Sequence, residues 1–431
     1  MGIMDISAGR GLRGEITPPS DKSISHRAVM LSAIADGKSL IRNFLYAHDP
    51  VSTMKAMRML GITIDEEGGR EGIIVHGRGL RGLSEPADVI DCGNSGTTMR
   101  LISGILSGSS FFSVLNGDDS LRTRPMSRII DPLRQMGAKI TARQSGRFAP
   151  MAINGGGLTG IDFNMPVASA QVKSCILLAG LYAEGTTKIS EPLRSRDHTE
   201  TMLRSMGSSV KVSGLDISVS SCGELSPIDI NVPSDFSSAA FFIAAALMVK
   251  GSELLIRNVG INPTRTGFLD ALSMMGADVE LVDRRNVSGE PVADILCRAA
   301  AGLKGAVIDK ELMPSMIDEF PILCIAASHA EGVTEIRGAG ELRVKESDRI
   351  KAMAEGLAAM GVEVHEHQDG LSIHGCNNMK SARIRSYADH RIAMSFAVAA
   401  LVSGLSVDID DIECVDISFP GFFGLLKELA S

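Results

Sequence analysis

Apolar and polar positions recur along the chain with a period of about 70 residues. One recurring segment is a helical pattern followed by a short strand pattern, and its copies reach Gly61, Gly137, Gly207, Gly276 and Gly361. Glycine adopts the left-handed backbone of a helix C-terminus more readily than other residues, so each copy predicts a helix that stops at its glycine. The recurrence predicts an architecture made from one α/β unit.

A second recurring segment is an Ala-rich, apolar pattern that predicts a buried helix. Its copies end at Gly37, Gly108, Gly185, Gly251, Gly332 and Gly404. The differences between successive glycines are 71, 77, 66, 81 and 72 residues, each close to one sixth of the 431-residue chain. Chance repetition does not explain six aligned copies, so the pattern predicts six units.

The sixth unit is divided between the two ends of the chain. The last helical pattern, 421–429, has no strand pattern after it, and the strand pattern at 3–7 has no helical pattern before it. Joining them places both ends in one domain. We therefore expect an inserted domain, residues 21–235, with three units, and a discontinuous domain, residues 1–20 plus 236–431, with the other three.

Composition narrows the class of protein. A net charge of −8 argues against nucleic acid as a partner, because proteins that bind a phosphate backbone are usually basic. The longest apolar run, 239–249, is too short to span a membrane, and residues 1–13 contain no apolar signal segment. Seven widely spaced cysteines without a C-x-x-C pair favour reduced thiols. The expected location is the cytoplasm.

The candidate chemistry lies in the polar turns that open the apolar helices. A helix N-terminus carries unpaired N–H groups and partial positive charge, so it attracts anions. Helix capping alone explains the Asp and Ser residues at any one of these turns. It does not explain the cations beside them, which are Lys22, Arg27, Arg100 and Arg391. These cations indicate a site for small substrates that carry phosphate and carboxylate groups.

Other patterns in the sequence do not, by themselves, predict a binding site. The basic stretch 120–126 is, taken alone, as compatible with a solvated loop as with a site. For the stretch 341–349, taken alone, an exposed helix start is the favoured interpretation. Residues 9–14 and 77–82 match G-x-G-x-x-G, but neither stretch opens a helix, so a dinucleotide site is not predicted. His365 and His367 alternate on a strand pattern without acidic or Cys companions at ligand spacing, so no metal site is expected.

Together, the motifs resemble those of the enolpyruvyl transferases over essentially the whole chain. The segments that carry the resemblance are Asp21-Lys-Ser-Ile-Ser-His-Arg27, Gly93-Asn-Ser-Gly-Thr-Thr-Met-Arg-Leu101, Arg122-Thr-Arg-Pro125, Ser169-Ala-Gln171, Arg343-Val-Lys-Glu-Ser-Asp-Arg349 and Asp389-His-Arg391. The resemblance implies a two-domain inside-out α/β barrel of six βαβαββ repeats, three per domain, with the active site in the interdomain cleft. It also implies transfer of the enolpyruvyl group of phosphoenolpyruvate to the 5-hydroxyl of shikimate 3-phosphate by a monomer, without metal or organic cofactor.

The resemblance also implies the role of each site residue. Glu346 and Asp318 would act as general acid and base, assisted by Lys22. The residues expected to bind phosphoenolpyruvate are Lys22, Gly96, Arg124, Gln171, Arg349 and Arg391. Those expected to bind shikimate 3-phosphate are Lys22, Ser23, Arg27, Ser169, Gln171, Arg196, Asp318 and Lys345.

Three features depart from the family pattern. Ala170 stands where many members have a second phosphate-binding Ser, and Arg196 is expected to supply the missing donor. Ile417 replaces a Lys that contacts phosphoenolpyruvate in other members. Gly96 is typical of glyphosate-sensitive members, whereas residues 196–200 and 262–265 resemble the subgroup called class II. The sequence therefore does not decide between sensitivity and insensitivity to glyphosate.

Two rival functions predict different residues. The sister transferase that acts on UDP-N-acetylglucosamine has Asn after its active-site Lys and usually a Cys in a mobile loop, whereas Ser23 follows Lys22 here and 116–126 contains no Cys. A non-catalytic anion-binding module would be expected to lack Asp318, Glu346 or an arginine of the clamp, and all are present.

Overall fold

The structure is a computed structural model that describes residues 2–4, 11–66 and 72–431. Contacts divide the chain into two compact units. Unit 1 comprises Met1–Pro19, Pro233–Asn286 and Pro291–Ser431, and unit 2 comprises Ser20–Val232 and Val287–Glu290. Each unit has an apolar core of its own. None of the described helices is both long and apolar enough to cross a membrane.

The strands are short. They are β1 (Gly2–Met4), β2 (Arg13–Ile16), β3 (Asp36–Arg42), β4 (Thr63–Asp65), β5 (Ile73–Arg78), β6 (Ile90–Asp91), β7 (Phe112–Asn116), β8 (Lys139–Ala142), β9 (Phe148–Asn154), β10 (Asp162–Asn164), β11 (Thr186–Ser190), β12 (Lys211–Ser213), β13 (Asp216–Ser220), β14 (Ile230–Asn231), β15 (Glu253–Gly260), β16 (Val279–Val287), β17 (Glu290–Arg298), β18 (Val307–Ile308), β19 (Val333–Ile336), β20 (Val364–His367), β21 (Gly370–His374), β22 (Ala382–Ile384) and β23 (Val407–Ile409).

Helices alternate with these strands. They are α1 (Lys22–Ala33), α2 (His48–Met59), α3 (Gly96–Gly108), α4 (Ser127–Gln135), α5 (Arg143–Gly146), α6 (Ala170–Gly180), α7 (His198–Ser205), α8 (Phe236–Met248), α9 (Gly267–Met274), α10 (Phe320–Ser328), α11 (Arg349–Ala359), α12 (His390–Ser403) and α13 (Phe422–Ala430). Single 3-10 turns occupy Leu121–Thr123, Met313–Ser315, Gly340–Val344 and Glu413–Ile417.

Among the described residues the strands form six sheets with one repeated pairing. Five sheets have four strands, in the orders β14-β3-β5-β4, β6-β7-β9-β8, β10-β11-β13-β12, β2-β15-β17-β16 and β18-β19-β21-β20, and the sixth is β22-β23-β1. In every sheet the first strand of this order runs parallel to the second, and the second runs antiparallel to the third. The prediction of a mixed α/β protein with a repeated unit is confirmed at this level.

Parallel strands need a crossover, and buried helices supply it. In four sheets α3, α6, α10 or α12 lies between the two parallel strands in the sequence. In the other two sheets the first strand comes from a distant part of the chain: β2 pairs with β15 and β14 pairs with β3. The chain then continues from β2 into α1 and from β14 into α8.

The four helices α3, α6, α10 and α12, together with α1 and α8, are buried nearly all round and form the cores. Helix α8 is buried from Phe236 to Leu247, as expected for the longest apolar run. In unit 2, α3 packs closely on α6: a Cβ added to Gly104 would lie 2.2 Å from the carbonyl oxygen of Cys175. The polar N-termini of these buried helices are therefore the parts that remain available for chemistry.

The helix ends predicted from the two series of glycines were not equally accurate. The first is correct, because Gly61, Gly137, Gly207, Gly276 and Gly361 each follow a helix and have φ between 83° and 101°. In the second series only α3 and α12 end at or beside the glycine. Helix α1 already ends at Ala33, and Gly37 lies inside β3. The strand after the helix thus begins before the glycine in that copy.

Candidate active site

Side chains cap the N-termini of five of the six buried helices α1, α3, α6, α8, α10 and α12. Asp21, Ser95, Ser169, Asp235 and Asp389 each accept a hydrogen bond from a backbone N–H of the first turn. Capping therefore accounts for the acidic and hydroxyl residues of these turns. The cations beside the caps form two groups, which are described for each unit separately.

The unit 2 cluster consists of Lys22, Arg27, Gly96, Arg124 and Gln171, at the starts of α1, α3 and α6 and in the loop before α4. Lys22 Nζ lies 3.2 Å from Asp49 Oδ2, a partner on α2 that the sequence motifs did not indicate. Both side chains keep limited exposure, 18% and 11%. Asp49 therefore restrains Lys22 while its ammonium group stays accessible.

Arg27 is held by neutral groups. Its Nε donates to Thr199 Oγ1 at 2.7 Å, and its Nη2 donates to Ser174 Oγ at 2.9 Å. Its Nη1 donates to the carbonyl oxygen of Ser23 at 3.0 Å. Burial of this side chain lowers the pKa of Arg27 to about 10, and the positive charge of Arg196 acts in the same direction. An anion placed here would stabilise the charged guanidinium.

His26 begins a buried chain of polar side chains behind these turns. Its Nδ1 lies 2.7 Å from Thr53 Oγ1, which lies 2.7 Å from Thr98 Oγ1, and Thr98 Oγ1 donates to Ser95 Oγ at 2.8 Å. Burial, together with the positive charge of Lys22 and Arg27, holds the pKa of His26 well below its usual value. The imidazole is therefore neutral and joins α1, α2 and the cap of α3.

The stability of the protein is expected to fall as the pH drops below about 6.5. The pKa of His26 is lower in the folded state than in the unfolded state, so the unfolded chain binds a proton that the folded chain does not. The loss is about 1.4 kcal/mol per pH unit for each such histidine. His329, whose pKa burial also lowers, contributes with the same sign.

Urea denaturation between pH 7 and 5.5 measures this dependence. The His26→Asn variant keeps a polar atom near the position of Nδ1 but does not titrate, so its stability should decline less steeply with falling pH. An identical slope in the variant and the wild type would contradict the assignment of this proton to His26.

The start of α3 lies against two arginines. An added Cβ on Gly96 would lie 3.4 Å from Nη1 of Arg100 and 3.5 Å from Nη1 of Arg124. Arg124 Nη2 donates to Asn94 Oδ1 at 2.6 Å and to Ser120 Oγ at 3.1 Å. Gly93, with φ 55°, makes the left-handed turn before the helix, whereas Gly96 is its first residue. Gly96 thus leaves space beside two guanidinium groups.

Gln171 and Ser169 open α6 in the same unit. Gln171 Oε1 accepts from Arg100 Nη1, and its Nε2 donates to Thr97 Oγ1 at 2.9 Å. Ser169 Oγ accepts from the N–H of Val172 at 3.5 Å. The amide of Gln171 therefore connects the starts of α3 and α6.

The next turn of α6 carries a buried charge cluster that sequence reasoning missed. Lys173 Nζ lies 2.9 Å from Glu191 Oε2 and 2.8 Å from Glu200 Oε1, and all three side chains are at most 2% exposed. It also donates to the carbonyl oxygen of Ser195, at 3.2 Å. Lys173 therefore fixes the segment that carries Arg196.

The unit 1 cluster consists of Asp318, Glu346, Arg349, Asp389 and Arg391, and it is centred on Arg349. This side chain is 1% exposed and contacts three carboxylates: Asp389 at 2.8 Å, Glu346 at 2.7 Å and Asp318 at 3.3 Å. Burial alone would lower the pKa of Arg349, but the charges of Asp389, Glu346 and Asp318 outweigh it and raise the pKa above its usual value. Arg349 therefore stays protonated and holds the carboxylates together.

Arg391 is engaged less completely than Arg349. Its Nη1 donates to the carbonyl oxygen of Asp318 at 3.1 Å, whereas its Nη2 lies 3.8 Å from Asp318 Oδ2, beyond hydrogen-bonding distance. Asp389 accepts from the backbone N–H of Arg391 and from Ser347 Oγ, both at 3.0 Å. Asp389 was part of a motif but was not predicted as a site residue. It connects α11 and α12.

The segment before α11 is fixed by Arg343. Its Nη1 donates to Asp348 Oδ2 at 2.7 Å, and its Nη2 donates to Glu366 Oε1 at 2.9 Å. Lys345 and Glu346 lie between Arg343 and Asp348 in the sequence and are partly exposed. Ile417 packs against the core of unit 1, so at this position the chain offers an apolar contact in place of a cation.

His365 has two neighbours that its own sequence pattern did not indicate. One ligand atom each of Glu363, His365 and His374 lies within 4.8 Å of the other two, while His367 Nε2 lies 2.8 Å from Ser372 Oγ. The sequence missed this group because His374 belongs to the neighbouring strand. The seven cysteines are free thiols, and burial raises the pKa of Cys297 to about 12.

Comparisons with known proteins agree with one another. A family model described as EPSP synthase (3-phosphoshikimate 1-carboxyvinyltransferase) matches residues 6–426. Proteins named 3-phosphoshikimate 1-carboxyvinyltransferase from Pelobacter propionicus and Geobacter metallireducens are each 53% identical, over 427 and 426 residues, and cover 99% of this chain and 98% and 99% of their own length. A solved EPSP synthase from Acinetobacter baumannii matches with TM-score 0.87 at 45% identity, covering 99% of this chain and 98% of that one. These similarities extend nearly from end to end.

Proposed function

The chain belongs to the EPSP synthase (3-phosphoshikimate 1-carboxyvinyltransferase) family, and we propose how its two clusters carry out the family's reaction. The enzyme transfers the enolpyruvyl group of phosphoenolpyruvate to the 5-hydroxyl of shikimate 3-phosphate and releases phosphate, a step of the shikimate pathway. Each substrate carries a phosphate and a carboxylate. Both clusters place cations at helix N-termini, where such groups are bound most favourably.

The proposal rests chiefly on one contact. Arg349 holds the carboxylates of Glu346 and Asp318 at the same time, at 2.7 and 3.3 Å. A buried arginine that orients two carboxylates suits a reaction that needs an acid and a base on one substrate pair.

The chemistry then requires two proton transfers in each half of the reaction. In the addition, Glu346 gives a proton to the methylene carbon of phosphoenolpyruvate, and Asp318 takes the proton of the 5-hydroxyl, whose oxygen bonds to the central carbon. In the elimination, Glu346 takes a proton back from the new methyl group and Asp318 returns its proton to the departing phosphate, which restores the double bond and both side chains. Lys22, restrained by Asp49, assists by stabilising the negative charge that develops nearby.

We assign binding roles by substrate. Phosphoenolpyruvate contacts Lys22, Gly96, Arg124, Gln171, Arg349 and Arg391. Shikimate 3-phosphate contacts Lys22, Ser23, Arg27, Ser169, Gln171, Arg196, Asp318 and Lys345. The donor capacity of Arg391 suits a planar oxyanion, whereas Arg349 is already surrounded by carboxylates and mainly orients them. Arg196 replaces the hydroxyl that Ala170 cannot supply.

We further propose the family's inside-out α/β barrel of six βαβαββ repeats, with residues 21–235 as the shikimate 3-phosphate domain. In this proposal the substrates bind in a cleft between the two domains, and the enzyme works as a cytoplasmic monomer without metal or organic cofactor. The repeated sheet pairing supports the repeats.

An assay of phosphate release tests the function directly. The purified chain should release phosphate from phosphoenolpyruvate only when shikimate 3-phosphate is added, and UDP-N-acetylglucosamine should not replace it. Release without the second substrate, or with the nucleotide sugar, would contradict the proposal.

Gly96→Ala should weaken the binding of glyphosate more than that of phosphoenolpyruvate. In this family glyphosate occupies the phosphoenolpyruvate site and is the longer molecule, so it should meet the new methyl group first. That methyl would lie 3.4 and 3.5 Å from two guanidinium nitrogens, in space that the protein itself leaves open. Overpacking typically costs about 1–3 kcal/mol.

Three measurements on one Gly96→Ala preparation test this prediction. They are the inhibition constant of glyphosate, the KM for phosphoenolpyruvate and the melting temperature. A raised ratio of inhibition constant to KM with an unchanged melting temperature is expected, because Gly96 is the first residue of α3 and does not have positive φ. A much lower melting temperature with an unchanged ratio would instead assign Gly96 a structural role.

A further inference from the structure

A histidine-rich surface lies on the β20–β21 hairpin of unit 1. The register pairs His365 with Ser372, and the backbone N–H of His374 donates to the carbonyl oxygen of Glu363 at 3.0 Å. Side chains alternate between the faces of a strand, so Glu363, His365 and His374 share one face. Leu371 and Ile373, on the other face, belong to the core of unit 1.

The three side chains converge at their polar ends. Nε2 of His365 lies 3.3 Å from Oε1 of Glu363, and Nε2 of His374 lies 3.8 Å from the same oxygen. One ligand atom from each residue lies within 4.8 Å of the other two. A tetrahedral ion with bonds of about 2.0–2.2 Å holds neighbouring ligands roughly 3.4 Å apart. Small side-chain adjustments are therefore enough to admit an ion.

We propose that Glu363, His365 and His374 form a binding site for a divalent late transition metal, best represented by Zn²⁺. Imidazole nitrogen and carboxylate oxygen are ligands that Zn²⁺ accepts, and three protein ligands leave a fourth position for water. The site, named here the hairpin site, uses none of the residues assigned to the two substrates. It goes beyond the proposed function and is independent of it.

The geometry favours a metal over a plain ion pair for one reason. The Glu363 carboxylate is 65% exposed and faces two imidazoles whose ring centroids are 5.7 Å apart. An exposed ion pair contributes little to stability and gives no reason for a second ring at the same oxygen. A metal ion needs all three groups. Because the site is open to solvent, the metal should exchange readily with chelators.

Calorimetric titration of the chelator-treated, full-length protein without a histidine tag tests the hairpin site. One equivalent of Zn²⁺ should bind to the wild type. His365→Ala and His374→Ala should each weaken binding at least about tenfold, because loss of even an outer-shell partner costs about 10–100-fold. The matched control is His367→Ala, which removes a histidine two residues away that contacts Ser372 and should leave binding unchanged.

Two further measurements keep the test specific. Co²⁺ bound at the hairpin site should lack the thiolate charge-transfer absorption that a cysteine site would produce. The variants should also melt like the wild type without metal and should retain full phosphate release, so a failure here would not affect the proposed function. Equal Zn²⁺ affinity in the wild type, His365→Ala and His374→Ala would overturn the proposal, as would a thiolate band.

Discussion

Replacement of Glu346 by Gln or of Asp318 by Asn is expected to lower kcat by about 10²–10⁴-fold while the KM values change little. Each amide keeps the size and most hydrogen bonds of the carboxylate but cannot transfer a proton. Folding should survive, because Arg349 keeps two of its three carboxylate partners in either variant. A rate measured with both substrates saturating isolates the chemical step.

The matched control is Glu355→Gln, which removes an exposed carboxylate from α11, the helix that begins with Arg349. It should retain the wild-type kcat. A Glu346→Gln or Asp318→Asn variant that keeps more than a tenth of the wild-type kcat would lose its assigned role. A large rise in KM at unchanged kcat would instead mean that the carboxylate binds substrate without transferring protons.

The fold could be predicted where one residue type has one local consequence. A glycine after a helix has few alternatives to a left-handed turn, so Gly61 and its four counterparts were located correctly. The second series failed at Gly37 because an Ala-rich pattern does not show where a helix gives way to a strand. There the pairing of β3 with β5 determines the boundary.

The candidate site was predictable as a set of motifs but not as a set of contacts. The anion-binding turns follow from local sequence, since capping residues and neighbouring cations lie within a few positions. The partners of those cations come from distant segments: Asp49 contacts Lys22 from α2, and Asp318 contacts Arg349 across 31 positions. Only the folded chain specifies such pairs.

The hairpin site illustrates the same limit. Along the chain, Glu363 lies two residues before His365, but the expectation that His365 has no acidic companion overlooked it. The register of β20 with β21 brings in His374. Hydrogen bonds between strands thus supply the third ligand atom, and no spacing rule within one strand could have found it.

Removal of the charge of Lys173 should lower the free energy of unfolding by about 3–5 kcal/mol, because it leaves Glu191 and Glu200 buried without their cation. Burial already raises the pKa of Glu200 and Lys173 opposes that effect, so in a Lys173→Met variant Glu200 should take up a proton. Glu200→Gln added to Lys173→Met should therefore recover part of the loss. Lys188→Met is the control, since Lys188 lies on the surface, 3.8 Å from Asp162, and should matter little.

Urea denaturation gives the global effect of these variants, and hydrogen exchange of α6 and α7 shows where it originates. Protection should fall first in α6 and α7, which carry Lys173 and Glu200, and in the segment whose Ser195 carbonyl Lys173 contacts. A chain of two compact units need not unfold in a single transition, so the local measurement is the decisive one. If Lys173→Met is as stable as Lys188→Met, the buried cluster contributes no net stability. If the double variant Lys173→Met plus Glu200→Gln is less stable than Lys173→Met alone, the unpaired carboxylate of Glu200 is not the source of the lost stability.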